Sequence, residues 1–177
     1  MKRVGLHILL LLASRAEAQT TISYVCNARV SSVYLSSGLK HLGEVNRRKR
    51  LGWHVEAIDV TTLVKTTAED DPRGFYRVAS RKITRRCGVF KIIITAGWMN
   101  ANPYGYLGAI QFPWVELWDD GGQVLRPTAL HSCEADQDLY AAAGCPSAFA
   151  NVIEVRRERK TKTATVDLMR DGQPRVP

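Results

Sequence analysis

Nowhere does the chain hold the roughly 20 consecutive apolar residues that a membrane-spanning helix needs. The most apolar stretch near the amino terminus, Val4 to Ala13, is about half that length, so no membrane span is expected in the mature form. Cysteine is scarce, with four in 177 residues, and no two of the four stand in the C-x-x-C spacing of structural zinc sites. That excludes the commonest cysteine-based metal centre, and no metal or cofactor is expected. The chain also lacks any N-x-[ST] acceptor triplet, any internal repeat and any low-complexity linker. A single domain follows, and a mature chain of about 160 residues is long enough to bury one core. Helical periodicity is thin throughout, which argues against a helical fold.

What the amino terminus does contain is an export pattern. Lys2 and Arg3 precede the apolar stretch, and Ala16-Glu17-Ala18 places small residues where a signal peptidase cuts. Residues 1–18 are therefore expected to be a cleaved signal peptide and residues 19–177 the mature domain, periplasmic or secreted. Cleavage removes Lys2, Arg3, Arg15 and Glu17, lowering the formal net charge from +8 to +6. A positive balance suits an anionic partner, although charge speaks to association and not to fold. Nucleic acid is not expected as that partner, because the chain leaves the cytoplasm and carries no nucleic-acid-binding motif.

Export places all four cysteines, Cys26, Cys87, Cys133 and Cys145, where disulfides persist. Three pairings are open. The favoured one joins Cys26 to Cys87, which sit in strand-like segments a sheet can bring together, and Cys133 to Cys145, which flank a short turn-bounded insert.

Strand patterns dominate the mature chain. Ile22, Tyr24, Cys26 and Ala28 share one face of a period-two alternation, and Leu51, Trp53, Val55 and Ala57 repeat it. Val89 to Trp98 gathers Phe90, Ile92, Ile94, Ala96 and Trp98 opposite Lys91 and Thr95, a central-strand pattern. Phe112 to Asp119 and Gln123 to Arg126 read as a hairpin closed by Asp120-Gly121 in a type I′ turn, with Leu117 facing Val124. A second pair spans 148–157 and 163–170 across a charged connection, and the basic strand 76–86 belongs near a sheet edge. Short helices are expected around Leu39 to Val45, ended by the run Arg47 to Arg50, and over Asp136 to Ala143. The sum is an all-β fold, a single β-sandwich, immunoglobulin-like or related, of about eight short strands with one or two short helices.

Catalytic motifs are absent. Ser37-Gly38-Leu39-Lys40 matches the S-x-x-K of penicillin-recognising enzymes, but the companion K-T-G is missing and the chain is too short for that fold. His131 next to Ser132 is a sequence neighbourhood, not a triad. Glu134, Asp136 and Asp138 alternate like calcium ligands, yet the glycine and distal glutamate of an EF-hand loop are missing, and the same residues read as a helix's polar first turn. Three basic groups, Arg47 to Arg50, Arg81 to Arg86 and Arg156 to Lys162, either join into an anion-binding patch or lie on separate solvated edges.

The most unusual segment is Gly97 to Gly108. Trp98, Asn100, Asn102, Tyr104 and Tyr106 combine stacking faces with amide donors and acceptors, as a binding loop on a rigid sheet would. The competing reading is a structural connection whose aromatics cap the core. The expected function is an exported, non-catalytic binding protein for a cell-envelope glycan or another protein. An inhibitor or accessory subunit of an exported enzyme is the alternative, and a small envelope hydrolase the second.

Overall fold

The computed structural model describes residues 21–66, 78–100, 109–131, 149–170 and 173–174. The expected signal at 1–18, the helix at 136–143 and the Cys133 to Cys145 pairing lie outside them. The described chain is mostly β, with two main sheets and one short α-helix, as the strand patterns predict.

The first sheet grows around a hairpin. Strand β1 (Thr21–Asn27) turns through a 3-10 segment, Ala28–Val30, into β2 (Ser32–Ser37). The turn is held locally: the Asn27 side chain accepts from the Arg29 N–H at 3.2 Å, and Ser31 adopts a left-handed φ of 44°. Strand β3 (His54–Asp59) adds to the free side of β1. On the free side of β2 lie β11 (Val152–Arg157), β12 (Ala164–Arg170) and β13 (Gln173–Pro174).

The second sheet is a meander of β6 (Lys82–Cys87), β7 (Phe90–Asn100), β8 (Ala109–Asp119) and β9 (Gly122–Leu130), finished by β10 (Phe149–Ala150) parallel to β9. A two-stranded ribbon of β4 (Val64–Thr66) and β5 (Val78–Ser80) forms a third, separately hydrogen-bonded sheet. Nine of the thirteen described strands run six residues or more, close to the eight expected, and the rest are fragments.

Alternation builds the core between the sheets. Ile22, Tyr24 and Cys26 of β1 and Leu35 of β2 meet Phe90, Ile92 and Ile94 of β7 and Val115 and Leu117 of β8. Cys26 and Cys87 join the two layers through a disulfide, the pairing expected from their strand context. Two further links close the same side: the Tyr24 hydroxyl donates to the Arg86 carbonyl at 3.1 Å, and Arg85 pairs with Glu56.

Helix α1 (Leu42–Arg50) lies on the outer face of the first sheet, where Val45 packs with Val25, Tyr34 and Val152. The run Arg47 to Arg50 does not end this helix but forms its last turn, where cations complement the carbonyl end of the dipole. Trp53 and Val55 join the helix-side cluster, while Ile58 enters the main core. The expected inner face of β3 is therefore its outer one, because an apolar helix-facing surface carries the same period-two signal as a core-facing one.

Four further expectations are corrected. The Asp120-Gly121 turn is not type I′, since the positive φ falls on Gly122, at 129°, and the Gly121 N–H is taken by Asp119 Oδ1 at 2.7 Å. An extra residue then enters β9, so Leu117 faces Leu125 and not Val124. The strand expected over 76–86 divides at Arg81, whose N–H donates to the Leu63 carbonyl at 2.7 Å, leaving β6 at the sheet edge as its charge pattern predicts. The strand expected over 148–157 changes sheets at Asn151, whose N–H donates to Met169 while its carbonyl accepts from Ser37.

Candidate functional site at one pole of the sandwich

The residues singled out from Gly97 to Gly108 do not form a described site. The backbones of Trp98 and Asn100 lie in β7, opposite Gln111 and Ala109, and Gly97 stands in the same ladder opposite Phe112. Gly97 to Asn100 are therefore strand and not loop, because a glycine weakens a strand without forbidding it when a long partner ladder is present. Asn102, Tyr104 and Tyr106 lie outside the described residues.

Nor do the three basic groups join as whole runs into one patch, because several of their arginines are held by carboxylates. In the first, Glu44 accepts from Arg47 and Arg48, each at 2.6 Å. Arg48 reaches on to Glu154 at 2.9 Å and lies over the rings of Tyr34 and Trp53, so this arginine is a packing element. In the second, Arg85 is held by Glu56, and in the third Arg156 is held by Glu154 at 2.7 Å.

The remainder of the third group behaves differently. Four turns meet at one end of the sandwich, those joining β1 to β2, β6 to β7, β8 to β9 and β11 to β12. Between them opens a cavity of about 260 Å³. Arg29, Arg157, Arg159 and Lys162 line it, with Asp120, Glu158 and Ser31, and the half-exposed side chains of Val30 and Val89 form an apolar wall.

Each turn is fixed by its own chemistry. Gly88 has a φ of 59°, and a Cβ there would come within 2.4 Å of Ser31 Oγ and 2.9 Å of the Ala28 carbonyl, so only glycine allows the turns of the two sheets to approach. The Arg157 N–H donates to the Ser31 carbonyl at 3.1 Å, and Arg159 Nη2 donates to the Arg29 carbonyl at 3.1 Å. The Lys162 N–H closes its own turn on the Glu158 carbonyl at 3.0 Å. Ser31 and Lys162, at φ 44° and 56°, are the two non-glycine residues with left-handed backbone among the described residues, and both line this cavity. Such conformations cost free energy and concentrate at functional sites.

The charges are unevenly matched. Arg157 is satisfied by Asp120 at 2.5 Å and lies 3.8 Å from Asp119. Its hydrogen bond holds the Asp120 carboxyl below the usual carboxylate range. Glu158 accepts from the Thr161 hydroxyl at 2.9 Å. Arg29, Arg159 and Lys162 form no ion pair with any described residue, and so the cavity keeps an excess of positive charge.

Among the described residues no three His, Cys, Asp or Glu side chains cluster as a metal site requires. His131 is buried with its ring edge-on to Phe149 at 5.4 Å, a packing histidine, and His54 sits edge-on to Tyr24 at 6.1 Å.

The charged connection 158–162 was visible in the sequence as an exposed tip. Arg29 and the Asp120 turn were not visible as its neighbours, since only the pairing of β11 with β2 brings those turns to one pole. Comparison of the chain with protein-family models, with curated proteins and with solved structures finds no match.

Proposed function

We propose that this protein is an exported binding protein that does no chemistry of its own and takes an anionic group at this pole. The observation that carries the reading is the set of three cations, Arg29, Arg159 and Lys162, held around a cavity without a carboxylate partner among the described residues. Arginine and lysine placed this way suit a phosphate, sulfate or carboxylate, the first as a planar fork and the second as a point charge. Fixed turns reduce the ordering cost of binding. The export pattern at 1–18 and the Cys26 to Cys87 disulfide agree with work in an oxidising compartment.

The test is the affinity of the mature protein for inorganic phosphate and sulfate as salt is raised. Binding should weaken with chloride, because exposed charges are screened. The double variant Arg29→Glu, Arg159→Glu should lose at least about tenfold in affinity, the ratio that corresponds to about 1.4 kcal/mol. Unchanged affinity in that variant would remove the pole from the account.

A further inference from the structure

We infer that the anionic group is carried by a saccharide, whose ring lies against Trp118 on the sheet face adjoining the pole; this deepens the binding reading above and rests on it. The two sheets differ in what covers them. Helix α1 closes the outer face of the first sheet, whereas on the second sheet Lys82, Thr84, Arg86 and Lys91 are exposed at the outer face of β6 and β7. Trp118 shares that face, 37% exposed, with Lys91 opposite it on β7 and Gln123 opposite it on β9. It is a neighbour of the cavity along the chain: Asp119 follows it and approaches Arg157, and Asp120 lines the cavity itself.

The chemistry of this strip suits a sugar. A partly exposed indole offers a stacking surface to a ring's C–H face. Beside it the Gln123 amide donates to a Glu116 carboxylate oxygen at 3.3 Å, a pair that presents both donor and acceptor atoms to hydroxyl groups. Lys91 and Arg86, paired across β6 and β7, extend the positive charge of the pole along the same face. A polyanion without rings would use the cations and leave Trp118 idle, and an uncharged sugar would use Trp118 and leave the cations idle. An acidic saccharide engages both.

The experiment titrates the mature protein with four probes: a short sulfated oligosaccharide, the same oligosaccharide desulfated, a polyphosphate and a poly-glutamate peptide. The sulfated sugar should bind most tightly, and Trp118→Ala should weaken it by about tenfold. The same variant should leave inorganic sulfate binding and the melting temperature unchanged. Trp118→Phe should recover most of the loss. Should Trp118→Ala lower the melting temperature, the comparison moves to Trp118→Phe and Trp118→Gln, which separate a ring requirement from a packing one. Polyphosphate or poly-glutamate binding as tightly as the sulfated sugar, with no dependence on Trp118, would overturn the saccharide and leave the anion site standing. Insensitivity of every probe to Arg29→Glu, Arg159→Glu would overturn the anion site as well.

Discussion

Arg48 shows how one side chain can be spent on architecture within a run that reads as surface charge. It is buried, its guanidinium bonds Glu44 and Glu154, and it lies 4.2 Å from the Tyr34 ring centre and 4.8 Å from that of Trp53. Removing it strands a buried Glu154 with Arg156 as its remaining partner, so Arg48→Ala should cost about 3 kcal/mol in a denaturation experiment. A loss below about 1 kcal/mol would contradict this, since that is the range of exposed pairs. Glu44 makes a second residue-scale prediction. Hydrogen bonds from Arg47 and Arg48 hold its carboxyl down at about 2 from an ordinary 4.5. A depressed folded-state value means that its contribution is fully present above about 4.5 and is lost as pH falls toward about 2. The melting-temperature gap between the parent and Glu44→Gln should therefore shrink across that window, and a gap independent of pH would contradict it. The Glu44 contacts are local, at i,i+3 and i,i+4, whereas Glu154 stands 106 positions from Arg48 and no helical spacing marks it.

At the scale of elements, two glycines that look alike in the sequence have opposite roles. Gly88 sits at φ 59° with no room for a Cβ, so Gly88→Ala should destabilise by about 1–3 kcal/mol. Gly43 stands in the first turn of α1 with open space around its missing Cβ, so Gly43→Ala should stabilise by about 0.5–1 kcal/mol. Urea midpoints of the two variants check both signs. Most strands were legible because alternation records which face is buried, as with Phe90, Ile92 and Ile94. What alternation cannot record is which layer does the burying, hence the inverted face of β3. Nor does it mark the bulge opposite Leu117 or the change of sheet at Asn151, both fixed by backbone hydrogen bonds to distant strands.

Across the whole molecule, the Cys26 to Cys87 bridge, the Tyr24 to Arg86 hydrogen bond and the Arg85 to Glu56 pair clamp the edges of the two sheets. The bridge spans 61 positions, and on the loop-entropy argument its removal should cost roughly 4 kcal/mol. Cys26→Ala, Cys87→Ala should lower the denaturation midpoint accordingly, and an unchanged midpoint would contradict the clamp. On the proposed reading the pole is where this rigidity serves binding, because four turns from both sheets converge there around cations that lack carboxylate partners among the described residues. The sequence carried the charge of that site but not its assembly, since the residues come from four turns separated by about 30 to 60 positions of chain. The most direct measurement is a backbone-amide NMR titration of the mature protein with inorganic sulfate at low salt. Saturable shifts should concentrate at Arg29 to Ser31, Gly88 to Val89 and Glu158 to Lys162, and all should be abolished in Arg29→Glu, Arg159→Glu. Shifts scattered over the surface basic residues, or unaltered by the double variant, would contradict the anion site.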